Sequence, residues 1–183
     1  MKVVAITGSP HVNGNTSYLV DEALKELEAR GIETEKIALA ERAVAPCQGH
    51  DKCSTFKNCK IKDDAPDIIR KYNEADGVIL ASPVYFFDVT AQMKAFIDRN
   101  FFTYTHEGKK KAKCAGLMAI GGGGGADETI NTLKAFVGFN SMPDEDIFTL
   151  KGYTGEGSAK DKPELVKKAR ELGRKMAAKL TAK

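Results

Sequence analysis

Short apolar runs rich in β-branched residues alternate with amphipathic helical stretches along most of the chain, and few folds accept that pattern. Val3 to Thr7 is such a run, broken by Gly8 and Pro10, and reads as a buried strand ending in a loop. From Thr16 to Arg30, Leu19, Val20, Ala23, Leu24 and Leu27 fall on one helical face, and Gly31 follows where a helix would stop. Thr34 to Leu39 reads as a second strand, and a short helix over Ala65 to Glu74 leads into a strand over Gly77 to Ala81. A helix from about Ala91 to Phe102, a strand over Ala112 to Ile120, a helix near Glu128 to Val137, a strand near Asp146 to Leu150 and a last helix over Pro163 to Leu180 complete the series. This alternation predicts an α/β protein: a five-stranded parallel sheet with helices on both faces. Its ligands are expected at the carboxyl ends of the strands, where the winding reverses.

With 183 residues and 42% hydrophobic content, the chain suits one domain over 1–183, with no internal repeat and no interdomain linker. Lys+Arg 28 against Asp+Glu 25 leaves a charge of +3, without the basic excess of a nucleic-acid footprint, so no nucleic-acid partner is expected. The opening MKVVAITGSP is too short in apolar residues for a signal segment, and no later run reaches membrane-spanning length. The expectation is a cytoplasmic protein with no membrane partner. In that reducing compartment its four cysteines point to metal ligation, redox chemistry or burial rather than to disulfides.

Three loops carry binding chemistry. Gly8-Ser9-Pro10-His11-Val12-Asn13-Gly14-Asn15-Thr16-Ser17 joins the first strand to the first helix. Backbone N–H groups, the positive end of the helix dipole and the hydroxyls of Ser9, Thr16 and Ser17 suit an anion there. A nucleoside-triphosphate loop is excluded, because five residues separate Gly8 from Gly14 and Asn15 follows where lysine would be needed. A polar turn with a helix cap is the plain alternative. Ser82-Pro83-Val84-Tyr85-Phe86-Phe87-Asp88 leaves the third strand and is unusually aromatic for a water-facing connection, so a flat ligand fits against it; a core-facing turn is the alternative. Gly121 to Gly125 ends the fourth strand, and missing side chains there let the backbone approach a ligand or simply flex. The three loops end strands one, three and four, which surround the switch point of a flavodoxin-like sheet of order 2-1-3-4-5, a three-layer sandwich.

At these residues the sequence resembles the NADPH-dependent FMN reductase family, and its iron–sulfur flavoprotein branch in particular. The resemblance rests on GSPHVNGNTSYLV, PCQGHDKCSTFKNCKIKDD and SPVYFFDVTAQMKAFIDR, and it covers most of the chain. It implies that Ser9, His11, Asn15, Thr16 and Ser17, with Pro10 and Gly14 in the same loop, hold the phosphate of FMN. It also implies that Ser82, Pro83, Val84, Tyr85, Phe86 and Phe87, with Gly121, Gly122 and Gly123, hold the isoalloxazine. The activity implied is hydride transfer from NAD(P)H to FMN and onward passage of electrons to a quinone, a flavin or another acceptor. The other implied role is an electron carrier between redox proteins through FMN and a [4Fe-4S] cluster. Family members form homodimers or homotetramers, so an oligomer is expected, with 40–62 and the aromatic stretch 101–105 as interface surfaces. Two positions depart from the family: His11 stands where arginine is usual, and Phe87 where glycine is common.

Within an insertion at about 40–62, Cys47, His50, Cys53 and Cys59 read C-x2-H-x2-C-x5-C. Iron–sulfur flavoproteins resemble this with cysteine at all four positions, so His50 replaces one expected thiolate. The set is compatible with a cluster of altered potential, with a Cys3His zinc site, or with a loop that has lost its metal. Cys114 reads as a small buried core residue. His106 lies in a basic and aromatic stretch whose ordinary reading is a solvated loop. A functional reading has Lys109 to Lys113 attracting the extra phosphate of NADPH.

Overall fold

Val3 to Ile6 are buried without exception, the burial of a strand with neighbours on both sides. The computed structural model describes residues 1–50, 53, 59–101, 110–139 and 142–182. Strands β1 (Lys2–Thr7), β2 (Glu33–Ala38), β3 (Gly77–Pro83), β4 (Ala115–Gly121) and β5 (Ile147–Tyr153) form one parallel sheet in the order β2-β1-β3-β4-β5. This is the expected flavodoxin-like order.

The two-residue period of the strands splits the core. Val4, Ile6, Val78, Leu80, Leu117 and Ala119 point to the layer of α2 (Ala65–Glu74), α3 (Ala91–Arg99) and α4 (Ala126–Gly138). Val3, Ala5, Ile79, Ala81, Met118 and Ile120 point to α1 (Asn15–Glu28) and α5 (Pro163–Thr181). Gly173 lets α1 and α5 pack closely, since a Cβ there would lie 2.3 Å from the Ala23 carbonyl oxygen. Beside that contact the buried Glu22 of α1 accepts from Lys25 and from Arg170 of α5.

Element boundaries differ from expectation by a few residues. β4 starts at Ala115 rather than Ala112, because Lys113 donates to the Asp76 carbonyl ahead of the ladder. β5 runs on to Tyr153, α4 starts at Ala126, and α3 ends at Arg99. Cys114 therefore precedes β4 rather than lying in it, but it is fully buried as expected, and burial first of all pushes its thiol up to about 12. Among the described residues no helix is long and apolar enough to cross a membrane.

Candidate functional site

Because the sheet is parallel, the loops after β1, β3, β4 and β5 all emerge on one edge. They enclose a cavity of about 200 Å³. One end is bounded by Ser9, His11, Gly14, Asn15 and Thr16, the other by Pro83, Val84, Tyr85, Gly121 and Gly122.

At the first end, α1 begins behind Gly14 with no side chain capping it. Its first-turn N–H groups have no intrahelical acceptors, and the helix dipole makes that end positive. The Ser9 hydroxyl folds its own loop, accepting from the His11 amide and lying 3.1 Å from the His11 carbonyl oxygen. Not every polar group expected here faces the cavity. The Ser17 hydroxyl accepts from Lys36 of β2 at 3.0 Å, and the Asn15 amide donates to Thr154 and to the Gly157 carbonyl. Asn15 therefore fastens the loop after β5 to the start of α1.

The second end is built by backbone contact. The Gly8 amide donates to the Ala81 carbonyl, and the Val84 amide to the Ile120 carbonyl. Ser82 is fully buried, accepts from the Thr90 amide at 3.0 Å and donates to the Pro83 carbonyl, so it shapes the loop without lining the cavity. Tyr85 and Asp88 exchange backbone hydrogen bonds around Phe86 and Phe87, whose φ values are 47° and 62°. Positive φ at both central positions makes this a hairpin turn of the kind that normally takes Asn-Gly. Phe86 is 100% exposed, while Phe87 lies against the glycine run. Gly125, at φ +80°, could not carry a Cβ, which would meet Val84 at 2.7 Å and the Phe87 Cα at 2.8 Å. Gly121 is similarly closed, whereas Cβ atoms at Gly122 and Gly123 would meet open space.

Sequence reasoning missed Thr154 and Gly155, which complete the cavity wall and donate to the Gly121 and Gly122 carbonyls. By itself Gly152 to Lys162 has the Gly, Ser and Lys content of an exposed loop. The available signal was its position directly after the fifth strand, on the edge already holding the other three loops.

Described residues of the insertion pack beside α3. Arg99, buried at the end of α3, donates to Asp63 through both terminal nitrogens, at 2.5 and 2.9 Å, to the Ala45 carbonyl, and to the Cys59 sulfur at 3.4 Å. Burial alone would push Asp63 up, but Arg99 and the amides of Ala45 and Ala65 together hold its carboxyl below the usual value. Cys53 is buried and Cys47 exposed; burial, and then the neighbouring Cys59 and Cys47, push the Cys53 thiol up. The donor types suit a metal, but among the described residues no three His, Cys, Asp or Glu side chains are gathered closely enough to hold one.

His106 and 102–109 lie outside the described residues, as do 51, 52 and 54–58. Lys110, Lys111 and Lys113 sit at the opposite edge of the sheet from the cavity, where Lys111 donates to the Asn73 carbonyl and Lys113 to the Asp76 carbonyl. Within one chain they cannot reach a phosphate bound near the glycine run.

A 2-1-3-4-5 parallel sheet with a loop-built cavity at its switch point defines a flavodoxin-like protein. This chain belongs to the NADPH-dependent FMN reductase family, whose model matches residues 1–155. It is 42% identical over 144 residues to an iron–sulfur flavoprotein of Methanocaldococcus jannaschii, covering 78% of this chain and 74% of that one. An iron–sulfur flavoprotein of Archaeoglobus fulgidus is 40% identical over 156 residues, covering 78% and 70%. Among solved structures, the NAD(P)H:quinone oxidoreductase from Methanothermobacter marburgensis superposes with a TM-score of 0.74 at 16% identity, covering 95% of this chain and 96% of that one. An FMN-dependent NADH-azoreductase from Bacillus anthracis, in complex with FMN, gives 0.72 at 14% identity, covering 97% and 100%. The last two likenesses establish the fold.

Proposed function

We propose that the protein binds FMN in the cavity at the carboxyl edge of the sheet and works as an NAD(P)H-dependent flavin oxidoreductase, passing electrons to a quinone, a free flavin or another small acceptor. The observation that carries this reading is the pairing of an uncapped α1 N-terminus with a side-chain-free glycine wall, at opposite ends of one cavity. A phosphate suits the first and a flat ring the second. Family membership supports the same cofactor.

The phosphate takes the first-turn amides of α1 and the hydroxyls of Ser9 and Thr16. Ser17, whose hydroxyl accepts from Lys36, would contribute its backbone amide only. Pro83, Val84 and Tyr85 on one side and Gly121 and Gly122 on the other would hold the isoalloxazine. Bound FMN supplies the hydride-accepting chemistry, so no side-chain acid or base is required. Phe86 and Phe87 border the open side, and the glycine run keeps the ring face accessible. Anaerobic addition of NADH or NADPH to FMN-loaded protein tests the reading. Bleaching of the flavin band is expected, and its absence with both donors would overturn the enzyme assignment.

A second reading, an electron carrier using FMN and an iron–sulfur cluster, draws on the relatives' names and on Cys47, Cys53 and Cys59. Stoichiometric iron and sulfide in anaerobically purified protein would favour it. Flavin without either favours the reductase.

A further inference from the structure

The edge of the sheet opposite the flavin cavity holds a second, larger cavity, of about 330 Å³. Tyr72 of α2, Val137 of α4 and Met142 give it apolar walls, and Lys110, Lys113 and Lys179 bring ammonium groups to it. Asp146 is the one carboxylate in the lining, and it is already paired with Lys179.

Lys110 is the informative residue. Its ammonium lies 4.3 Å from the centre of the Phe136 ring and 4.8 Å from that of Tyr72, and among the described residues no carboxylate pairs with it. Ring faces compensate a cation less than a buried carboxylate can. Burial accordingly pushes Lys110 down to about 8. The carbonyl ends of α2 and α4 reach this edge and account for lysines gathering here in general. They do not account for Lys110, which stands outside both helices and rests on aromatic faces.

We propose that this cavity binds a small organic anion, a carboxylate on an apolar body of about one ring, with the carboxylate beside Lys110 and the body against Tyr72, Val137 and Met142. The volume falls near the lower limit for small-molecule sites, and apolar walls beside a cation that no described carboxylate pairs favour a carboxylic acid over inorganic phosphate. Among the described residues, Lys113, Lys179, Asp146 and Tyr72 are the other titratable groups lining the cavity with Lys110. Tyr72 stays neutral, because burial pushes its phenol up, and Asp146 stays with Lys179. Affinity is therefore expected to fall as pH rises above about 8, where unliganded Lys110 loses its proton.

Calorimetric titration of the FMN-loaded protein with benzoate tests the site. The expected result is saturable binding at pH 7, weaker binding at pH 9, and a loss of about tenfold or more in Lys110→Met, which keeps the stem over the rings. Met142→Glu, which puts a competing carboxylate against the ligand, is expected to abolish binding while flavin content stays unchanged. Absence of benzoate binding to wild type, equal affinity in Lys110→Met, or equal competition by inorganic phosphate and chloride would overturn the proposal. So would a change of oligomeric state in Lys110→Met, because the cavity would then be a contact between copies of the chain. None of these outcomes bears on the flavin reading, which concerns the other edge of the sheet.

Discussion

The Thr90 hydroxyl donates to the Gly8 carbonyl oxygen at 2.6 Å, joining the loop after β3 to the loop after β1 across 82 residues of sequence. The Thr90 hydroxyl oxygen also accepts from the Met93 amide and so caps α3, while the Thr90 amide donates to Ser82. One buried side chain thus sets the distance between the two loops that would hold opposite ends of the flavin.

Thr90→Val keeps the shape and removes both hydrogen bonds. The Gly8 carbonyl then loses a buried donor, and a loss of about 1–3 kcal/mol in unfolding free energy is expected. FMN dissociation measured by fluorescence should weaken by about tenfold if the loops separate.

Phe86 occupies a left-handed position with its ring fully exposed. Asparagine tolerates that backbone far better, so Phe86→Asn is expected to raise stability by about 0.5–1 kcal/mol, read as a higher denaturation midpoint. An unchanged KM for a quinone acceptor would show that the ring plays no part in turnover. A raised KM would assign the strain to substrate contact.

Arg99 and Asp63 are 2% and 6% exposed and pair through two hydrogen bonds. Arg99→Met strands a buried carboxylate and frees the Ala45 carbonyl. Chemical denaturation should show a loss of about 3–5 kcal/mol, and Asp63→Asn in the same background should recover part of it.

The Glu22 carboxyl is held below its ordinary value, chiefly by Lys25, against the opposing effect of burial, with Arg170 adding to the depression. A depressed carboxyl stabilises the fold above its unfolded value, and that contribution is lost as pH falls through the lower, folded value. Between neutral pH and the acid range the thermal midpoint should fall less steeply for Glu22→Gln than for wild type.

The class of fold was legible in the sequence because short apolar runs and helical faces alternate, and in a parallel sheet each run must be buried on both sides. The strand order came with the flavodoxin-like likeness, which the loops after strands one, three and four fitted. Gly121 to Gly125 marked the ring-side wall for the same local reason: only missing side chains permit the approach seen at Gly125.

What the sequence by itself determined was therefore whatever depends on neighbours along the chain: element type, loop chemistry and the edge on which the binding-type loops emerge. Tertiary structure alone decided which of the polar groups face the cavity. Ser17 turns to Lys36, Asn15 turns to the loop after β5, and Thr154 and Gly155 enter from the far end of the chain. It also decided that Lys110 rests on Tyr72 and Phe136, away from the flavin edge. A side chain's partner depends on what the fold brings within hydrogen-bond reach, and those distances are set by packing between segments that the sequence keeps far apart.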